Sequence, residues 1–160
     1  MTQEFVKNFT EVYEPGGTIF PASRNAADVS TGWLDMANHQ RIVFLIVVGA
    51  IGQGATLDFR AWQARDANGT GALASWKTTG GALARLLYPI DQLTAADGNN
   101  LIAVEIRAES LDQDYRYVMG NFTVGGNGVI YAVIPLRGTS NLTQVPTTGW
   151  TQIVLAPDYP

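Results

Sequence analysis

The residues that could carry nucleophilic or acid–base chemistry are few in this chain. The single histidine, His39, lies in a polar turn beside Asn38 and Gln40. A catalytic triad needs such an imidazole as its general base, but a histidine in a polar turn is far more often a solvated surface residue. We therefore expect His39 to lie in solvent and to take no part in catalysis.

Two carboxylates, Asp112 and Asp114, are spaced so that both would point to one side of an extended segment. Such a pair could share acid–base work or hold a hard cation. Both precede a strand in a turn-rich segment, where carboxylates commonly cap backbone amides, and that structural role is the expected one. A small β-fold hydrolase built on Asp112, Asp114 or Glu109 is the enzymatic alternative.

Two loops imitate ligand-binding motifs. Residues 66–71 (DANGTG) resemble the opening of an EF-hand loop, but the twelfth position is Lys77 where that loop needs a bidentate glutamate. Residues 49–54 (GAIGQG) follow a strand, but their glycine spacing departs from both phosphate-binding fingerprints and another strand follows. We predict two turns, with no metal and no cofactor bound.

Composition excludes further classes of function. The 160 residues contain no cysteine, which rules out thiolate metal sites and disulfides. Fourteen acidic and ten dispersed basic residues give a net charge of −4, so no clustered positive charge is available for nucleic acid. The longest apolar stretch, residues 42–51, is about half of what spans a bilayer, and no export signal opens the chain. We expect one soluble domain that binds no membrane.

The chain is organised around residues 41–48 (RIVFLIVV). Seven consecutive apolar residues, mostly β-branched or aromatic, lie between a charge and a glycine cluster. This pattern is typical of a strand that is buried on both faces. Such a strand must be covered on two sides by the rest of the chain.

The neighbouring segments also favour strands. Alternation predicts half-buried strands at residues 56–65, 100–108 and 115–124, and Gly120 marks a bulge or twist in the last of them. The sequence GGNG at 125–128 predicts a hairpin whose returning strand, residues 129–134, stops at Pro135. The other predictions are a short strand at 18–20 that Pro21 stops, short strands at 75–79 and 83–88, a loop at 22–31, and one helical turn within 91–98.

Seven or eight short strands with frequent turns indicate an all-β fold. We predict a single-domain β-sandwich or jelly roll with extended arms at both ends. Residues 1–30 would form an N-terminal strand or arm, residues 31–137 the core, and residues 138–160 an extended tail. An α+β domain with helices at 91–93 and 112–115 is the alternative.

Aromatic residues are the remaining candidates for a binding surface. Trp62, Tyr115 and Tyr117 fall on the parity opposite to the more apolar residues of their strands, and Trp150 is an adhesive residue of the tail. Aromatic side chains on one sheet face would form a patch suited to a partner or a second copy. In the alternative interpretation, the side chains on both sides of each strand are partly buried.

The order of several short motifs resembles a family of small structural proteins of tailed bacteriophages. The resemblance covers roughly residues 30–135. The matching segments are 32–36 (GWLDM), 41–49 (RIVFLIVVG), 54–58 (GATLD), 62–71 (WQARDANGTG), 93–94 (LT), 97–100 (DGNN), 106–112 (IRAESLD) and 115–118 (YRYV).

This resemblance implies a non-enzymatic, capsid-associated role as a cement or decoration protein on the outside of the phage head. The implied partners are the major capsid protein and further copies of this chain, as a homotrimer by analogy. The expected location is the virion exterior after synthesis in the host cytoplasm. The first 30 residues and the tail are not anchored by the resemblance. A carbohydrate-binding β-sandwich, with Trp62 or Trp76 stacking on a sugar, is the alternative.

Overall fold

A computed structural model describes residues 13–74, 90, 92–138 and 152–155. Within them, eleven strands form two sheets. The strands are β1 (Tyr13–Pro15), β2 (Ile19–Asn25), β3 (Asp28–Ser30), β4 (Leu34–Asp35), β5 (Arg41–Ile51), β6 (Thr56–Ala64), β7 (Leu73–Ala74), β8 (Leu101–Arg107), β9 (Tyr117–Gly125), β10 (Asn127–Gly138) and β11 (Gln152–Leu155).

The larger sheet has the strand order β1-β10-β5-β8-β11, and β2 pairs with β10 along the same edge as β1. The smaller sheet has the order β3-β9-β6-β7, and β4 also pairs with β9. All pairs are antiparallel except β8 with β11. The predicted all-β sandwich is confirmed.

Four aromatic side chains, each in contact with the next, join the two sheets through the core. Phe44 of β5 contacts Phe59 of β6 with ring centroids 5.5 Å apart, and Phe59 contacts Phe122 of β9 at 4.9 Å. Phe122 then stacks on Tyr131 of β10 at 5.5 Å. All four side chains are at most 2 % exposed. Burial of each such side chain contributes roughly 1.5–3 kcal/mol to the free energy of folding, so these four rings are a main source of the stabilisation between the two sheets.

Gly120 of β9 makes room for this packing. A Cβ atom at Gly120 would lie 2.9 Å from Cε1 of Phe44 and 3.1 Å from Cε2 of Phe59. The pairing of β9 with β6 stays regular there, with Gly120 opposite Ala61. Of the predicted bulge or twist, the bulge is therefore wrong, because the register does not change at this glycine, which makes room for two rings from the core.

The central strand β5 lies between β10 and β8, as its apolar sequence predicts. Ile42, Phe44 and Ile46 point inward and are fully buried. The side chains between them point outward, where Val43 and Leu45 are only partly buried and Val47 is 45 % exposed. The prediction of a strand buried on both faces is thus wrong for the outward face.

Two strands run past the prolines that were expected to stop them. β2 continues through Pro21 to Asn25 and β3 follows, so the predicted loop at 22–31 is wrong. β2 pairs only with β10, and an edge strand tolerates a missing N–H. β10 continues through Pro135, whose carbonyl accepts a hydrogen bond from the Gly16 amide. The proline nitrogen faces the same side, where the strands paired with β10 change from β2 to β1.

Other local predictions are confirmed in part. β6 and β8 occupy the alternating segments. The chain turns at 125–128 with positive φ at Gly126 and Gly128, but β9 belongs to the smaller sheet and β10 to the larger one. The predicted hairpin is therefore wrong, because this turn leads the chain from one sheet to the other. One 3-10 turn spans Ala95–Asp97. β9 begins at Tyr117, since residues 112–115 form a turn in which the Tyr115 amide donates to the Asp112 carbonyl. The described ranges contain no α-helix, so nothing there corresponds to the α+β alternative, and none of their helices could span a membrane.

Several predictions lie outside the described residues. These are the segment before Tyr13, the strands expected at 75–79 and 83–88, and most of the C-terminal tail, including Trp150. Of the predicted N-terminal arm, residues 13–30 contribute β1, β2 and β3 to the two sheets. Of the predicted tail, residues 152–155 form β11, which pairs with β8.

Candidate contact surfaces

His39 occupies a charged cluster near the edge of the larger sheet. Its Nε2 lies 3.4 Å from Oε2 of Glu14, whose other oxygen accepts from Arg137 at 2.6 Å. The His39 side chain is only 13 % exposed, so the expected solvated position is wrong. Burial lowers the pKa of His39, and the Arg137 charge lowers it further against the opposing influence of Glu14. A neutral imidazole held in this way ties β1 to the body of the sheet.

The Asp112 carboxylate is occupied by an internal contact. Its Oδ2 accepts a hydrogen bond of 2.7 Å from the side-chain amide of Gln63, whose Oε1 accepts from the Asp112 backbone amide at 3.0 Å. Gln63 is 1 % exposed. This two-way pairing satisfies a buried amide at the end of β6. Asp114 lies apart in an exposed turn with φ of 70°.

The two motif-like loops are turns between strands, as predicted. Oδ1 of Asp66 accepts from the backbone amides of Asn68 and Thr70, so this carboxylate organises its own loop between β6 and β7. A hydrogen bond from the Thr70 side chain is the main reason that the pKa of Asp66 is lowered. Residues 52–55 form a tight turn between β5 and β6. In the described ranges, no three His, Asp or Glu side chains converge as metal ligands would.

The aromatic residues that were predicted to form a binding surface are partly buried, and the tyrosines make contacts within the chain. Trp62 and Tyr117 lie on the outward side of the smaller sheet, opposite Met119 and Ala64 respectively. Both, like Tyr115, are of intermediate burial.

The two tyrosines also hold positions in the fold. The Tyr115 hydroxyl donates to the Gly71 carbonyl at 2.9 Å, and Arg65 lies over its ring. Arg116 lies over the Tyr117 ring and binds Asp35 at 2.7 Å. The sugar-stacking alternative depends on Trp62, which is half-buried, and on Trp76, which lies outside the described residues.

The surface that the sequence interpretation missed is the outward side of the larger sheet. Four large apolar side chains are exposed in the described residues, and all of them lie on this side. We call it the outer face and define it by the outward side chains of four adjacent strands: Phe20 of β2, Ile130, Ala132, Ile134 and Leu136 of β10, Val43, Leu45 and Val47 of β5, and Leu101, Ala103 and Glu105 of β8.

Strand register arranges the outer face in continuous rows. Ile134 is opposite Leu45, which is opposite Ala103. The next row joins Ala132, Val47 and Leu101. None of these residues belongs to the core between the sheets. The signal was present in the sequence, because both parities of residues 41–48 and 129–134 are apolar.

Exposure is concentrated on part of the outer face. Phe20 is 75 % exposed, Val47 45 %, Ile130 41 % and Ile134 38 %. Ile130 packs against the β5 backbone, since a Cβ at Gly49 would lie 3.1 Å from its Cγ2. A contiguous group of exposed aliphatic and aromatic side chains on a sheet marks a binding surface more strongly than single exposed residues do.

The one carboxylate of the outer face is neutralised within the fold. Oε1 of Glu105 lies 3.0 Å from Nη1 of Arg41 and 4.0 Å from Nε of Arg107. The side chains of Arg41 and Glu105 are 7 % and 6 % exposed. Burial raises the pKa of the nearby Tyr13, whose ring packs over Gly138. At this end of the outer face, the charges of Glu105 and Arg41 are therefore paired with each other, and the other side chains of the face are apolar.

Comparison with known proteins gives remote structural matches. No protein-family model matches the chain, and no curated protein matches it in sequence. Two solved structures that align with it are capsid proteins of infectious bursal disease virus. The VP2 subviral particle has 13 % identity and a TM-score of 0.28 over 81 % of this chain and 41 % of that one. The Gt strain structure has 12 % identity and a TM-score of 0.26 over 82 % and 42 %. This chain spans less than half the length of either protein, and similarity at this level supports no conclusion about function.

Proposed function

We propose that this chain is a non-enzymatic structural protein of a tailed-phage virion, which binds the outside of the capsid shell and stabilises it. The ordered motifs of residues 30–135 resemble those of phage cement and decoration proteins. In the fold these motifs supply much of the framework, including the central strand β5, β6 and the turn between them. Its expected partners are the major capsid protein and further copies of itself.

The observation that carries this proposal is the outer face. Its exposed apolar side chains favour a role in protein–protein contact, because water-exposed apolar surface of this extent is stabilised by association. The candidate chemical residues, by contrast, are engaged in internal contacts: Asp112 with Gln63, Asp66 with its own loop, and His39 with Glu14. Such internal contacts favour a rigid protein-binding domain over a catalytic site.

Binding to empty heads tests the proposal. Purified protein is added to expanded phage heads that lack decoration protein, and binding is followed by cosedimentation. We expect saturable binding and a higher temperature of head disruption. Heads that already carry their decoration protein serve as the control and should bind no more. Absence of binding at saturating protein concentration would remove the capsid role.

A further inference from the structure

Two Asn–Gly dipeptides occur in the chain, at residues 68–69 and 127–128. Asparagine is among the thermolabile residues of proteins, because the backbone nitrogen of the next residue can attack its side-chain carboxamide. A glycine in that next position favours the attack, since it has no side chain to hinder ring closure and its backbone rotates readily. Each dipeptide is therefore a position at which the chain could modify itself with water as the only reagent.

The second dipeptide, Asn127–Gly128, is held from two sides. The Gly128 amide donates a hydrogen bond of 2.8 Å to Oδ1 of Asn25 in β2, and the Gly128 carbonyl accepts one of 3.0 Å from the Gly52 amide. The Asn127 carbonyl also packs against Gly52, where a Cβ atom would lie 2.5 Å from its oxygen. The peptide unit that must turn toward the Asn127 carboxamide is thus fixed between β2 and the turn that follows β5.

The first dipeptide, Asn68–Gly69, lies in the loop between β6 and β7. Asn68 is exposed, and the Gly69 amide donates to the Asp66 carbonyl of the same loop at 3.1 Å. Opening this bond disturbs one surface loop, whereas opening the Gly128 bond separates β10 from β2. Because local openings of surface loops cost the least free energy, the Gly69 nitrogen becomes available for attack far more often than the Gly128 nitrogen.

We propose that Asn68 is a self-modification site, which converts slowly to aspartate and isoaspartate in the folded protein, and that Asn25 protects Asn127 from the same reaction. The Gly69 nitrogen loses its proton to water and forms a bond to Cγ of Asn68, and the Cγ–Nδ2 bond breaks as ammonia leaves. Water then opens the resulting succinimide ring at either carbonyl. The sum of the steps consumes one water and releases one ammonia, with no change of oxidation state. This inference does not depend on the proposed capsid role.

The modification changes the charge and the backbone of the loop. Its product carries one negative charge more than the −4 of the unmodified chain, and the new carboxylate lies two residues from Asp66. Isoaspartate also lengthens the backbone by one methylene group next to Gly69, which packs so closely on Trp33 that a Cβ atom there would lie 2.8 Å from Nε1. Oδ1 of Asp66 accepts from the amides of Asn68 and Thr70, which the longer backbone moves apart. We therefore expect the modified loop to open more readily.

Peptide mapping of the full chain, folded and incubated at mildly alkaline pH, tests this inference. Trypsin recovers Asn68 and Asn127 in separate peptides, residues 66–77 and 117–137. Mass spectrometry gives the deamidated fraction of each peptide over time, and an unincubated sample gives the background from digestion. We expect Asn68 to react about tenfold faster than Asn127, which corresponds to a difference of about 1.4 kcal/mol in opening free energy.

Two comparisons separate protection by the fold from the effect of local sequence. In urea, where the fold is lost, the two sites should react at similar rates because each is an Asn followed by Gly. In the folded protein, Asn25→Ala removes the acceptor of the Gly128 amide and should speed the reaction at Asn127. The rate at Asn68 should not change. Asn38→Ala, which replaces another exposed asparagine, is the matched control and should alter neither rate.

Asn68→Gln checks the position of the reaction, because a glutamine would have to close a six-membered ring and should stay unmodified. Equal rates at Asn68 and Asn127 in the folded protein would overturn the inference. It would also be overturned by an Asn68 that reacts in urea but not in the folded chain, or by an Asn127 that stays protected after Asn25→Ala.

Discussion

At the residue scale, Gly120 is a position where the core leaves no room for a side chain. Gly120→Ala places a methyl group within 3.1 Å of both the Phe44 and Phe59 rings, which must move apart. We expect overpacking to lower the free energy of unfolding by about 1–3 kcal/mol, as measured by urea denaturation. Gly16→Ala is the control, because its nearest atoms would be 3.4 Å away, and it should leave the midpoint almost unchanged. Equal midpoints for the two variants would contradict this account of Gly120.

His39 provides a prediction about pH. Its pKa is lowered in the folded protein by burial and by Arg137, so unfolding allows it to take up a proton more readily. Its contribution to stability is therefore complete above its ordinary pKa of about 6.5 and decreases as the pH falls below that value.

The pH dependence is measured by comparing unfolding free energies of wild type and His39→Gln from pH about 7.5 to about 5. We expect the wild type to lose stability relative to the variant as the pH falls. A constant difference between the two proteins would show that His39 has the same pKa folded and unfolded.

Residue types alone did not reveal these environments. The polar neighbours of His39 predicted a solvated turn, but Glu14 and Arg137 come from β1 and β10, which are distant in sequence. The Gln63 side chain looked unremarkable on an alternating strand until the turn at Asp112 placed a carboxylate beside it. Such pairs depend on which strands become neighbours, and a single sequence does not contain that information.

At the scale of elements, the pairing of β5 with β8 is fixed at one end by the Arg41–Glu105 ion pair. Glu105→Gln removes the carboxylate and leaves the Arg41 charge buried, next to Arg107. Breaking such a buried pair costs about 3–5 kcal/mol of unfolding free energy. The control is Glu109→Gln, whose side chain is 75 % exposed and whose contact with Arg107 is solvated, so thermal and urea midpoints should change little. A similar loss in both variants would show that the buried pair has no special role.

Strand positions were predictable where local pattern and tertiary environment agree. The alternation of residues 57–62 predicted β6, and the glycines at 125–128 predicted the turn between β9 and β10, although the two strands belong to different sheets and form no hairpin. Prediction failed at Pro21 and Pro135, because the effect of a proline depends on whether its nitrogen faces a neighbouring strand. Pro21 lies on an edge strand and Pro135 faces the change from β2 to β1. Whether a proline lies on an edge strand or beside the junction of two neighbouring strands is decided only when the sheet assembles.

At the scale of the whole molecule, the layout predicts a graded pattern of amide hydrogen exchange. β5 is hydrogen-bonded on both sides over most of its length, by β10 and β8. β3 and β4 contain three and two residues and pair only with β9. We expect the slowest exchange in β5 and the earliest in β3 and β4. Equal protection of β3 and β5 would show that the sandwich opens only as a single unit.

Considered alone, the sequence determined the class of the fold and the absence of an obvious catalytic constellation. Its apolar runs, alternations and turn glycines specify β-strands through local sterics and hydrophobic periodicity, and these act over a few residues. It also contained the two-sided apolar pattern of residues 41–48. Only the tertiary structure decided that one side of β5 is covered by the smaller sheet and that the other, among the described residues, leaves Val47 exposed, since burial depends on which strands are brought together. The expected core strand is therefore buried on one side and partly exposed on the other.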